Sequence, residues 1–294
     1  MDRILVTGGS GFIGSHVVDN LLERGKQVTV FDRHFKKDIR EECDIFRGDV
    51  KDMESINEAV QHCDGVIHLA SLLGTQESVM MAQRFVEVNL MGSLNVFNAC
   101  LLHKKRAVYI AIGNYWMNNP YSITKRSATR FALMYNKELG TEITIVRGLN
   151  AYGPRQKLRP VKKITPTFVT AALKGDPIVI YGDGSQVMDM IYVTDLAEVL
   201  TRALLMNHGI YDAPIEAGLG GDETVNDIAG MIIDVCQSKS KIEHVPMRPG
   251  EIPGSVVKAD TAMLDRIDYP ASKMIQLREG IEKTVAWYKE QMNG

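Results

Sequence analysis

The chain has 294 residues, 45% of them hydrophobic and 24% charged, with 34 basic against 36 acidic side chains and a net charge of −2. That composition supports one large or two closely packed domains with a substantial core. So balanced a charge excludes any electrostatic case for a nucleic-acid partner.

Arg3–Thr7 reads as a buried strand and 12–24 as the helix after it. Between them, in "ILVTGGSGFIGSHVV", stand Gly8, Gly11 and Gly14 at three-residue spacing. A pyrophosphate needs a tight turn, a close backbone approach that no Cβ obstructs, and a helix N-terminus whose free N–H groups face it. Strand, glycine triplet and amphipathic helix together supply that context. Gln27–Asp32 is the second strand, and Asp32 at its end is placed to accept from an adenosine ribose 2′-OH and to repel a 2′-phosphate, which favours NAD over NADP. The neighbouring Arg33 could instead hold a 2′-phosphate. A helix over 52–62, a strand over 65–70, a long helix over 77–102, the strand Arg106–Ile112, the helix Pro120–Leu139 and a strand over 142–147 continue the alternation. Strict alternation predicts an α/β fold with a doubly wound parallel sheet.

The stretch "IAIGNYWMNNPYSITK" (110–125) holds the candidate chemistry. Pro120 suits a first helical turn and Asn119 suits its cap. Tyr121 and Lys125 then share one face at i and i+4, where the ammonium is expected to favour the phenolate and lower the tyrosine's pKa. A tyrosine so tuned can take a proton from a sugar hydroxyl while a hydride leaves the same carbon.

After Arg147 the rhythm changes to a loop rich in proline and basic residues, "NAYGPRQKLRPVKKITP". A helix over 166–174, a strand over 177–181 and helices over 195–206, 225–237 and 277–291 follow, with short strands between. The expected organisation is a nucleotide-binding domain over 1–150, also using 186–209, and a smaller α/β lobe over 151–294. The crevice between them is the default ligand site. Cys43, Cys63, Cys100 and Cys236 have no metal or redox spacing and read as buried free thiols. No metal site, no signal peptide and no apolar run approaching the ~20 residues of a membrane helix is expected. The chain therefore reads as soluble and cytoplasmic.

The sequence resembles the extended short-chain dehydrogenase/reductases, and among them the NAD-dependent nucleotide-sugar epimerases and dehydratases, over nearly its whole length. The resemblance is carried by "TGGSGFIG", "FDR", "GDV", "HLAS", "VNLMGSLNVF", "YSITK", "GLNAYGPRQ", "IYGDGSQVMDMIYVTDLA" and "RPGE". It implies a Rossmann-type fold and an NAD site made by Gly8, Gly11, Phe12, Ile13, Gly14, Asp32, Arg33, Asp49, Val50, Leu69, Ala70, Ser71, Asn89 and Leu149 together with Tyr121 and Lys125. It assigns Tyr121 and Lys125 the catalytic roles and Asn114, Asn150, Arg155 and Arg248 the substrate. It implies a nucleotide-diphosphate sugar as ligand, a UDP-sugar in the first place, and a homodimer through the helices at 77–102 and 120–139. Leu90, Leu94, Phe97, Phe131 and Met134 would supply its apolar contacts. His68 reads as structural.

Three departures from the family pattern stand out. Ala111 and Ile112 occupy the place of the usual Ser or Thr, leaving Ser122, Thr124, Asn114 and Asn118 as polar candidates to replace it. Gly113 and Asn114 occupy the place of the acid and base of the 4,6-dehydratases, and neither shuttles protons. The shortened segment after them could leave the sugar pocket open or wall it with Trp116 and Met117. Finally, Met188-Asp189-Met190 replaces an Arg-Asp-Phe, losing an arginine that would bind diphosphate. Arg155, Lys157, Arg159, Lys162 and Lys163 in the preceding loop are candidates to restore that charge. These features point first to a 4-epimerase working through a transient 4-keto sugar. The alternatives are a 5,6-eliminating dehydratase resembling that of tunicamycin biosynthesis and, in a different class, a non-catalytic dinucleotide-binding sensor.

Overall fold

The computed structural model describes residues 1–35 and 41–293. In chain order the elements are β1 (Arg3–Thr7), α1 (Phe12–Glu23), β2 (Gln27–Asp32), β3 (Asp44–Arg47), α2 (Met53–Gln61), β4 (Gly65–His68), α3 (Thr75–Val79), α4 (Ala82–Phe85), a π-helical turn (Val86–Met91) and α5 (Gly92–His103). There follow β5 (Arg106–Ile112), α6 (Pro120–Leu139), β6 (Ile143–Gly148), β7 (Asn150–Tyr152), α7 (Ile164–Lys174), β8 (Ile178–Tyr181), β9 (Val187–Met188) and β10 (Met190–Tyr192). The chain closes with α8 (Val193–Leu205), β11 (Ile215–Ala217), α9 (Val225–Cys236), β12 (Ile242–Val245), β13 (Val256–Val257), two 3-10 turns and α10 (Leu277–Asn293).

Seven parallel strands form one sheet in the order β11-β6-β5-β4-β1-β2-β3. The central strands are covered on both faces, which is why they read as unbroken apolar runs. Val6 of β1 lies between Val30 and Ile67. One face carries α1 and α8 through Val17, Leu21, Leu196 and Leu200. The other carries α2, α5 and α6 through Ile56, Phe97 and Ala128. A separate core, including Phe168, Ile228 and Ile281, joins α7, α9 and α10 around β8 and β10. The strand order reverses between β1 and β4, and that switch opens a crevice at the carboxyl ends of the strands.

Several expectations need correction. β3 was not expected, because an edge strand with a single neighbour can leave Ile45 exposed and shows no buried run. The helix expected over 77–102 is divided. It begins at Thr75 after Gly74 (φ +115°), breaks at Met80–Met81, and widens into the π-helical turn. A 3.6-residue period does not register one extra residue in a turn. The run Ala82–His103 is also 22 residues long and contains an 18-residue window with a mean hydropathy of 1.4, long and apolar enough to cross a membrane by length and composition. Arg84, Glu87 and Asn89 interrupt it, so no unbroken apolar run marks it in the sequence. Half of its most apolar window is buried inside the fold, with Val88, Val96, Phe97 and Cys100 in the core. Of the proposed dimer contacts, Phe97 is a core residue, whereas Phe131 and Met134 are exposed. Cys63 and Cys100 are buried thiols, and burial pushes Cys63 up to about 11. Cys43 and Cys236 are only half-buried.

Candidate active site

The crevice holds a cavity of about 370 Å³. Its floor is the loop between β1 and α1. Gly8 has φ +72°, and a Cβ there would stand 2.8 Å from Ala70 N, so only glycine allows that turn against the end of β4. A Cβ on Gly14 would stand 2.2 Å from the Gly8 carbonyl oxygen. Gly11, Phe12, Ile13 and Gly14 line the cavity, and α1 begins with neither a side-chain cap nor an acidic residue in its first turn. The positive end of the helix is thus turned to the cavity with no anion in its own first turn, a cradle that suits a pyrophosphate.

Asp32 lines the same cavity from the end of β2 and accepts from Ser10 N (3.2 Å) and Arg33 N (2.7 Å). The Arg33 guanidinium lies 3.7 Å from the Asp49 carboxylate, which draws it away from the role of a 2′-phosphate ligand. Val50, Leu69, Ala70 and Ser71 complete this wall. A dinucleotide with a free 2′-OH fits these residues. Asn89, expected at the cofactor, lies off the cavity wall. Its buried carboxamide accepts from Leu72 N (2.7 Å) and donates to Leu72 O (3.1 Å), holding the loop after β4.

His68 is fully enclosed beneath this loop. Ser93 Oγ donates to Asn89 O (2.7 Å), so His68 Nε2–H donates to Ser93 Oγ (3.0 Å) and Nδ1 accepts from Thr7 Oγ1 (2.7 Å). That arrangement requires a neutral ring, and burial lowers the imidazole to about 3.

On the opposite side, Asn119 caps α6 by accepting from Ser122 N (2.9 Å), with Pro120 in the first turn. Tyr121 and Lys125 both reach the cavity. The Lys125 ammonium lies 4.3 Å from the centre of the Tyr109 ring, and Tyr109 Oη donates to the Lys125 carbonyl (3.3 Å). The expected acidification of Tyr121 is not what this burial produces. Burial raises the phenol above its ordinary value and lowers Lys125 to about 7. Removing water penalises both charged forms, and that penalty outweighs the i,i+4 attraction.

Ala111, Ile112, Gly113 and Asn114 line the cavity beside them. Ser122 Oγ is buried without a hydrogen-bond partner and off the cavity wall, and Thr124 Oγ1 donates to Pro120 O (2.6 Å). Asn118 is exposed and also off the wall, so Asn114 is the candidate that reaches the cavity. Trp116 and Met117 do not wall the pocket; Trp116 packs edge-on against Tyr115, which lies under the Arg147 guanidinium.

Leu149, Asn150, Met188 and Met190 form the far wall. Asn150 Nδ2 donates to Asp189 O (2.9 Å). Asp189 is buried and accepts from the backbone N–H of Leu219, Gly220 and Ala259, so it braces the fold. Arg155 and Arg248 are not on the cavity wall. Arg155 pairs with Asp19 of α1 at 2.7 Å. Arg248 forms a bidentate pair with Glu251 and stacks on Tyr181. Of the five loop cations, Lys163 is the one that lines the cavity; burial lowers its ammonium, against the pull of Glu77. Its spacing was the same as its neighbours', so nothing in the sequence singled it out. Among the described residues, no group of three His, Cys, Asp or Glu side chains could hold a metal.

Residues 4–213 match the model of the NAD dependent epimerase/dehydratase family. The chain is 30% identical over 320 residues to the UDP-N-acetyl-alpha-D-glucosaminuronate decarboxylase of Bacillus cytotoxicus, covering 98% of each chain. It is similar to the UDP-glucose 4-epimerase of Thermotoga maritima solved with UDP-glucose, with a TM-score of 0.91, 26% identity and 99% of each chain covered. It is also similar to the Thermus thermophilus UDP-glucose 4-epimerase in complex with NAD, with a TM-score of 0.88, 26% identity and 98% and 99% of the two chains covered.

Proposed function

Because the chain belongs to the NAD-dependent epimerase/dehydratase family, whose members here include nucleotide-sugar epimerases and decarboxylases, we propose that it is a nucleotide-sugar 4-epimerase working through a transient 4-keto sugar. Its cofactor is NAD. The loop Gly8–Gly14 would hold the pyrophosphate and Asp32 the adenosine ribose. Bound there, NAD supplies reversible hydride acceptance at the sugar's C4.

Tyr121 is the group that takes the proton of the 4-hydroxyl and returns it; burial holds its phenol above the ordinary value, so its phenolate forms only beside a charged Lys125. Lys125 must carry its charge for that phenolate to persist in a dry site. Ala111 and Ile112 keep water from the keto sugar without donating to it. Lys163 faces the cavity that Met188 lines, and it supplies the cation that Met188 does not, suited to the diphosphate. A UDP-sugar is the proposed substrate, as in the Thermotoga maritima structure. Pairing of two copies through α5 and α6 is supported by the exposed Leu102, Ile123, Phe131 and Met134.

One observation separates this reading from elimination. Among the described residues, the carboxylates on the cavity wall are Asp32 and Asp49, both on the adenosine side and none beside Tyr121. Elimination needs a second base to remove a carbon-bound proton, whereas 4-epimerisation needs Tyr121 alone. The test is to incubate the protein with a panel of nucleotide sugars and identify products by mass and NMR. Conversion at unchanged mass, reduced about 10²- to 10⁴-fold in Tyr121→Phe with NAD still bound, is expected. A product that has lost water or carbon dioxide would replace the reading with elimination or decarboxylation.

A further inference from the structure

Asn119 does more than cap the helix that carries Tyr121. Its side chain is buried, and both ends of its carboxamide are used. Oδ1 accepts from Ser122 N at 2.9 Å, and Nδ2 donates to the carbonyl of Gly250 at 3.2 Å, a residue 131 positions away. Because the nitrogen is committed to a carbonyl and the oxygen to an N–H, the amide has one orientation that satisfies both.

Gly250 belongs to the turn "RPGE". It has φ +82°, and its Cα lies against the chain on three sides: a Cβ there would meet Val79 Cγ2 at 3.4 Å, Asn119 Cβ at 3.5 Å and Thr75 O at 3.5 Å. The same turn is closed by Glu251 N donating to Arg248 O (3.3 Å) and by the Arg248–Glu251 ion pair. Charges on Arg248 and Glu251 are both felt by Lys163 on the cavity wall. One carboxamide thus joins the first turn of α6, two residues before Tyr121, to a turn of the smaller lobe that lies behind the cavity wall, off the lining itself.

We propose that Asn119 is a positioning residue that holds the Arg248–Glu251 turn in register with Tyr121, so that a nucleotide sugar lying between Lys163 and Tyr121 meets the phenol at a fixed place. The proposal rests on the reading that the cavity takes a nucleotide-diphosphate sugar. A cap alone would be served equally well by serine or aspartate. Donation to Gly250 distinguishes asparagine from both, since serine is too short to reach the carbonyl and an aspartate would set an anion against it.

The test uses Asn119→Asp and Asn119→Ser in the full chain. Both keep an acceptor for Ser122 N, so α6 and NAD affinity are expected to stay close to wild type. Backbone amide exchange over 248–251 should accelerate, calorimetric affinity for UDP and for the converted nucleotide sugar should fall, and KM should rise about five- to tenfold. Faster exchange with unchanged ligand affinity and KM would overturn the proposal, leaving Asn119 a structural brace. Unchanged exchange would overturn it too, as would equal losses of NAD and sugar-nucleotide affinity. If the wild-type protein binds no nucleotide in calorimetry, it is the reading of the cavity that fails, and the exchange measurement still reports on the clamp.

Discussion

Replacing Ile112 by threonine restores a hydroxyl at the one strand end where this chain lacks it. Ile112 closes β5, is 7% exposed and lines the cavity shared with Tyr121. Its partner in β6 is Gly148, which offers no side chain to obstruct a new rotamer. Threonine keeps the β-branch, so the strand should persist. The change removes roughly two methylene equivalents from a buried site beside the cavity, worth about 1–2 kcal/mol of stability. One added hydrogen bond to the substrate hydroxyl contributes about 0.5–1.5 kcal/mol, or roughly three- to tenfold in rate. The expected outcome is a higher kcat at saturating NAD and nucleotide sugar, with a melting temperature lower by a few degrees. Should kcat stay level or fall while NAD affinity and secondary structure are intact, the idea that a missing hydroxyl leaves the substrate loosely aligned is refuted.

Two further outcomes follow from the cofactor side. Asp32→Ala should weaken NAD at least about tenfold and shrink its advantage over NADP, because the variant loses the acceptor for the ribose hydroxyl and the repulsion of a 2′-phosphate; titration of both dinucleotides checks this, and an unaltered ratio would contradict it. His68 is neutral in the folded chain down to about 3 but protonates near 6.5 when unfolded. Between those values the unfolded chain binds more protons, so stability rises with pH across the window and is lost as pH falls through it. Urea midpoints measured from about pH 7 to about pH 4 should therefore decline more steeply in the wild type than in His68→Gln. Parallel slopes would remove His68 as the cause.

Much of the site was legible because its parts are local. The glycine spacing, the position of Asp32 at a strand end and the i,i+4 relation of Tyr121 and Lys125 are set within a few residues of backbone, so periodicity and turn chemistry locate them. Arg155 and Asn89 show where that reasoning stops. Each stands beside a recognisable motif, yet one is drawn to Asp19 and the other to the backbone of Leu72. Both outcomes depend on which groups burial brings within hydrogen-bond reach. β3 escaped notice for the opposite reason: an edge strand needs so little burial that its residues carry almost no pattern.

The alternating strands and helices, the phosphate cradle and the tyrosine–lysine helix can be read from the order of residues, because each follows from short-range sterics and side-chain periodicity. That Lys163 among five loop cations reaches the cavity, and that Asn119 joins Gly250 across 131 positions, follows from packing between distant segments. Burial by the surrounding elements also works against the charged forms of Tyr121 and Lys125, since desolvation depends on what encloses a group and not on its neighbours in the chain.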